Sequence, residues 1–247
     1  MRKLLSWIIT PFYLVIFVFT MVFWHPLIAL SFYVNRRLYL QTIALGNGLL
    51  LLELRLLGTR ISVQGLEHLP RQKPLIIASN HQSLFDIPLL LWTLRSYGPC
   101  FIAKRELGKN IPSISHALRN MGSALIDRGD ARAAIRTIED LGTRVQQNRE
   151  AAIIFPEGTR ARNGRIKPFK SQGIMALLRT MPDAEIVPTV ISGSWRLTYH
   201  NFAPVPIGVR ISLTFLPPLK ASSPEAAPGE VQALIEAALP IDERRAS

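Results

Sequence analysis

Between Trp7 and Val34 the chain carries no charged side chain, taking His25 as neutral. The aromatic-rich stretch WIITPFYLVIFVFTMVFW inside this run is long enough to cross a bilayer. A soluble core cannot easily absorb so long an apolar segment, so this feature limits the fold more than any other. A cleavable signal peptide is the competing reading, with Arg2 and Lys3 as its charged start. The apolar run is too long for one, and it lacks a small-residue cleavage site. Pro11 and Pro26 are placed to break or kink a helix, and Arg36-Arg37 closes the run. A second apolar stretch, Leu38 to Leu57, carries Gln41, Asn47, Glu53 and Arg55 along its length. It reads as an interfacial helix with one face in lipid. Residues 1–57 are therefore expected to anchor the protein, as a single span or as a helical hairpin dipping into one leaflet. Residues 58–247 form the domain that follows.

Charge narrows the partners. Lys and Arg total 29 against 17 Asp and Glu, a formal net charge of +12, which favours anionic partners. With the apolar segment in place, anionic membrane lipids fit better than nucleic acid, which would not explain that segment. Basic residues flank the first run on both sides, and the remaining mass is basic without a secretion signal. The expected location is the inner membrane, with the domain on its cytoplasmic side. The single cysteine, Cys100, excludes an internal disulfide and a cysteine-rich zinc site. The other histidines, His25, His68, His116 and His200, are scattered without metal-ligand spacing, so no metal is expected.

From Gly58 onward the texture is that of an α/β domain. Short apolar strands are expected at RISVQG, PLIIAS (74–79), PCFIA (99–103), GSALI (122–126), AAIIF (151–155), EIVPTVI and VRISLTFL. Helices are expected at DIPLLLWTLRS (86–96), with Asp86 as N-cap, and at 129–149. The latter has Ala131, Ala134, Ile135, Ile138, Leu141, Gly142 and Val145 on one face. SQGIMALLRT and PGEVQALIEAALP read as two more. Alternating strands and helices imply a mostly parallel or mixed sheet flanked by helices. The Ser/Pro/Ala stretch 221–229 reads as a linker and the last seven residues as a frayed polar tail.

Three stretches carry chemistry. In NHQSLFD, His81 and Asp86 are five residues apart, a spacing at which neither strand nor helix brings two side chains together. A turn between a strand end and the next helix would do so. A carboxylate on one ring nitrogen would then leave the other as a base, and an ordinary imidazole titrates near ~6.5. In isolation such a pair is more often a packed histidine and a helix cap. Ser83 lacks a nucleophile elbow, and Cys100 sits in an apolar strand with no base beside it. In IIFPEGTRARNGRIKPFK a strand breaks at Pro156 into a turn followed by Arg160, Arg162, Arg165, Lys167 and Lys170, a pattern suited to phosphate. In FIAKRELGKNIP, Lys104, Arg105 and Lys109 follow another strand.

NHQSLFD, AKREL, FPEGTR and VPTVI (187–191) occur in this order, each at or beside a strand end, and together they resemble the lysophosphatidic acid acyltransferase family. The likeness covers roughly residues 74–192. It implies transfer of an acyl group from acyl-CoA or acyl carrier protein, as co-substrate and with no other cofactor, to the sn-2 hydroxyl of lysophosphatidic acid. The product is phosphatidic acid. It implies His81 as general base and Asp86 as the residue that orients it. Lys104, Arg105, Glu157, Gly158, Thr159 and Arg160 are implied around the acceptor phosphate, and Pro188 beside the acyl donor. AKREL is a variant of the family's second block, which leaves Lys104 and Arg105 as alternatives. Two other readings stand beside this one: acylation of another lysolipid (a lyso-ornithine lipid or a lysophospholipid), and a non-catalytic basic lipid-binding membrane protein.

Overall fold

The structure is a computed structural model that describes residues 2–244. Two long helices open the chain, α1 (Arg2–Val34) and α2 (Arg36–Leu56), joined at Asn35, whose side chain caps α2 by accepting from Leu38 N at 2.8 Å. Pro11 and Pro26 lie inside α1 and do not end it. The helix is long and apolar enough to cross a membrane, and only 17 % of its most apolar window is buried. Phe12, Val15, Phe19 and Phe23 face outward, an apolar surface too continuous for a helix packed in a soluble core. On α2, Leu38, Leu45, Leu52 and Leu56 are exposed in the same way, while Tyr39, Ile43, Leu50 and Leu54 are buried.

The pair is fastened internally and to the rest of the molecule. Thr20 Oγ1 donates to Glu53 at 2.6 Å, and Trp24 Nε1 to Thr42 O at 2.8 Å. A Cβ at Gly46 would lie 2.4 Å from the Trp24 ring, so glycine permits this close approach. Arg36 and Arg144 both pair with Glu150, tying the start of α2 to the α/β body.

The body follows as β1 (Arg60–Gln64), β2 (Leu75–Ser79), α3 (Asp86–Thr93), β3 (Pro99–Lys104), α4 (Ile114–Asn120), β4 (Ala124–Ile126) and α5 (Ala131–Asn148). Then come β5 (Ala151–Ile154), α6 (Ser171–Thr180), β6 (Glu185–Ser192), β7 (Arg210–Phe215) and α7 (Ala227–Ala238). The strands form one sheet in the order β1-β7-β6-β2-β5-β3-β4. All neighbours are parallel except β6 and β7. This is the expected mixed α/β architecture. Strands β2 and β5 are buried along their whole length, as a sheet covered on both faces requires. Leu75, Ile77 and Ile153 pack against α1–α4; Ile76, Ala152 and Ile154 pack against α5–α7. Each of these buried Leu and Ile side chains contributes about 1.5–3 kcal/mol.

Four expectations need correction. Asp86 is the first residue of α3, not its cap; Phe85 holds the cap position, without a side-chain bond. Helix α4 was not anticipated. Its seven residues, ISHALRN, are too short for a clear apolar period. The stretch 221–229 is not all linker, because α7 begins at Ala227. The expected tail holds a 3-10 turn, Ile241–Glu243, in which Glu243 is 1 % exposed. Residues 245–247 of that tail lie outside the described residues.

Candidate active site

Strand β2 ends at Ser79, and the chain is immediately pinned to its neighbour. The Asn80 amide accepts from Ile191 N and donates to Ile191 O, both at 2.8 Å, copying a strand ladder with a side chain. The next residues wrap around a carboxylate. Asp86 Oδ2 accepts from Gln82 N at 2.7 Å, Ser83 N at 2.8 Å and His81 Nδ1 at 2.8 Å. Asp86 Oδ1 accepts from Ser194 Oγ at 2.6 Å. Asp86 is fully buried, and these four donors match the number its two oxygens readily take. The turn is thus folded around Asp86, and that is how residues five apart meet. With Nδ1 donating to the carboxylate, Nε2 of His81 is left as the acceptor.

The second motif fixes the same histidine from the other side. His81 N donates to Glu157 Oε1 at 2.7 Å, and Ala161 N donates to His81 O at 2.7 Å. The His81 ring stacks on Phe155 with centroids 4.0 Å apart and planes 17° from parallel. Glu157 Oε2 accepts from Lys167 N at 2.9 Å, so both oxygens of this 3 %-exposed carboxylate are used on backbone. Burial pushes the Glu157 carboxyl up to about 7, against the lowering effect of those two N–H groups. Gly158 sits at φ +68°, where the turn needs glycine. Thr159 is exposed. Arg160 is half-buried, and its guanidinium makes no hydrogen bond or ion pair among the described residues. Burial and the neighbouring Arg162 pull its pKa below the ordinary value, while Asp86 opposes the shift.

The remaining candidates stand apart. Lys104, at the end of β3, pairs with Glu106 at 3.1 Å, and Arg105 with Asp127 at 3.8 Å; all four side chains are at the surface. Among the described residues, no hydrogen bond or ion pair joins either cation to His81 or Arg160. Pro188 is buried inside β6 beside Ala78. Its carbonyl accepts from Leu216 N at 2.9 Å, so its ring nitrogen, which cannot donate, lies on the β7 side just past the Thr189–Phe215 pair.

Three supporting residues were invisible in the motifs. Asn80 lies inside the first motif, but nothing in the motif announces its bonds to Ile191. Ser194 reaches Asp86 from 108 positions away. Glu243 reaches Gln82 Nε2 at 2.7 Å from 161 positions away, and its other oxygen accepts from Gly193 N at 3.1 Å and Trp195 Nε1 at 2.9 Å. The one local hint was the Gly193-Ser194 step after a buried strand, with Gly193 at φ +81°.

Residues 60–192 match the model of the acyltransferase family. The chain belongs to that family. It is 34 % identical over 172 residues to the 1-acyl-sn-glycerol-3-phosphate acyltransferase of Limnanthes douglasii, covering 66 % of this chain and 55 % of that one. With the Helicobacter pylori strain J99 protein of the same name it shares 39 % over 126 residues, 49 % of this chain and 50 % of that one. The chain spans about half the length of the curated relatives it matches. The crystal structure of the 1-acyl-sn-glycerophosphate acyltransferase PlsC from Thermotoga maritima superposes with a TM-score of 0.74 at 25 % identity, covering 95 % of both chains. The family model takes in His81, Asp86, Lys104, Arg105, Glu157–Arg160 and Pro188. It stops short of both Ser194 and Glu243.

Proposed function

We propose that this acyltransferase moves a fatty acyl group from a thioester, acyl-CoA or acyl carrier protein, to the sn-2 hydroxyl of lysophosphatidic acid, forming phosphatidic acid. The observation that carries this reading is the half-buried, unpaired Arg160 guanidinium on the same turn that holds His81. An arginine left without a carboxylate beside a His–Asp pair suits an acceptor that brings its own anion next to its nucleophile. The names of the relatives, which act on 1-acylglycerol-3-phosphate, point the same way.

The chemistry follows from the geometry. Nε2 of His81 takes the hydroxyl proton as that oxygen attacks the thioester carbonyl. The C–O bond forms, the tetrahedral oxyanion collapses, the C–S bond breaks, and the imidazolium returns the proton to the departing sulfur. Asp86 holds the ring and favours the transient imidazolium. Glu157 acts on backbone, so its part in the acceptor block is to shape the turn that presents Arg160. Helices α1 and α2 seat the domain on the cytoplasmic face of the inner membrane, where anionic lipids meet its excess of positive charge.

The test compares two acceptors. Replacing Arg160 with Ala should weaken use of lysophosphatidic acid by about 10- to 150-fold, the range for a hydrogen bond to a charged group. A lysolipid without the phosphate monoester should be a poor acceptor for the native protein and lose far less in the variant. Equal losses on both acceptors would remove Arg160 from the phosphate.

A further inference from the structure

Strands β1 and β7 alternate so that Ile61 and Ile211 join the core while Arg60, Ser62, Arg210 and Ser212 lie on the opposite face. Their parallel register sets Arg60 beside Arg210 and Ser62 beside Ser212, and the antiparallel step to β6 sets Ser192 beside Ser212. These residues and Arg196 line a cleft of about 300 Å³. Like charges facing each other across a strand pair are unfavourable. Yet neither Arg60 nor Arg210 has a side-chain hydrogen bond or ion pair among the described residues. Arg196 differs. It is held by Asp242 at 3.2 Å and Glu243 at 3.4 Å, so it adds little free charge.

The position of the cleft matters as much as its charge. Because β7 runs against β6, and β1 runs with β7, the beginnings of β7 and β1 lie beside the end of β6. That is also the end of β2 from which His81 emerges. The cleft is therefore on the reactive end of the sheet, displaced from β2 by two to three strand spacings, roughly 10–14 Å. Two free guanidinia side by side, with serine hydroxyls one pair further along the same face, suit phosphate oxygens. The volume suits a nucleotide-sized group and not the face of a carrier protein.

We propose that this cleft holds the phosphates of a nucleotide-linked thioester donor, coenzyme A, with its pantetheine arm bridging to His81. The assignment rests on the acyl-transfer reading above and names the donor for it. Arg60 and Arg210 are exposed, so replacing both with Ala leaves the core intact, which a thermal melt verifies. The double variant should raise the KM for acyl-coenzyme A about tenfold or more. Its kcat, and its KM for an S-acyl-pantetheine donor without phosphates, should stay unchanged. Titration of the detergent-solubilised protein with free coenzyme A, with no acceptor present, should show a matching loss of affinity. The Arg60→Lys/Arg210→Lys protein should fall between the two.

Unchanged coenzyme A affinity would overturn the assignment, as would equal KM changes for the two donors. So would a loss confined to binding of vesicles containing anionic lipid, which would give the cleft to the membrane surface. If the native protein acylates no lysolipid from either donor, the proposed reaction fails while the coenzyme A titration still decides the cleft.

Discussion

The turns after β2 and β5 and the exit from β3 all follow buried strands at the same end of one sheet, and all three carry polar residues that look alike in sequence. Their physical states differ. In the first two, the polar atoms face inward and are spent on each other: Asp86 on its own turn, Glu157 on the backbone of His81 and Lys167. At the β3 exit, Lys104 and Arg105 are exposed and pair with exposed carboxylates. Buried, fully bonded groups fix geometry and are costly to disturb, whereas exposed ion pairs contribute little. Rigidity, and with it catalytic precision, is therefore concentrated in the first two turns.

Substitution tests this contrast, beginning where the effect is largest. His81→Ala should lower turnover by about 10²–10⁴-fold with the protein still folded. Asp86→Asn should cost a comparable factor. The double variant should be little worse than His81→Ala, because the pair acts as a unit. A multiplicative loss, measured by steady-state acylation, would mean that Asp86 serves the reaction apart from His81.

Glu157 gives the next largest signal, and in stability. Its carboxyl is raised from 4.5 to about 7 by burial. The folded state thus binds a proton that the unfolded state has released between those values. This stabilisation is complete below about pH 4.5 and is lost as pH rises through about 7, a change of about 3 kcal/mol at most. Urea melts at pH 5 and pH 7.5 should show the decline. Glu157→Gln should flatten it, and should also lower stability overall, since an amide can accept only one of the two backbone N–H groups. An unchanged slope in the variant would mean that another group carries it.

The smallest effect belongs to the β3 exit. Lys104→Ala and Arg105→Ala, each losing one exposed ion pair, should change stability by less than about 1 kcal/mol. A loss of lysophosphatidic acid use approaching that of Arg160→Ala would bring one of them to the acceptor in the working complex and erase the contrast.

These differences bear on what the chain reveals before it is folded. The strands and α5 were legible because burial marks them, as short apolar runs in the central strands and as a 3,4 spacing in α5; α6 falls on Ser171–Thr180 as its sequence suggests. The His81–Asp86 meeting was legible as a requirement for a turn, but not the form of that turn. Four donors converge on Asp86, and one comes from Ser194, which shares no local pattern with the motif. The family resemblance places Glu157 around the acceptor phosphate, whereas its partners in the structure are the backbone N–H groups of His81 and Lys167, and backbone N–H groups, common to all residues but proline, leave no mark in a sequence. Glu243 was hidden for the opposite reason: a polar, charge-rich segment resembles a loose tail, and only tertiary contact makes a bolt of it.

That bolt has a consequence in time. Gln82 and Glu243 are 161 positions apart. At a synthesis rate of about 5–20 residues per second, Gln82 is made roughly 8–30 s before its partner. Residues 1–86 have been made from the start of that interval, and over its last 50 positions, roughly 2.5–10 s, the Gly193–Trp195 segment, which carries the Ser194 hydroxyl to Asp86, lacks its last support. The apolar helix is thus free to find lipid while the site is still unfinished, and the site is completed only after the protein has had time to reach the surface where its proposed substrate lies.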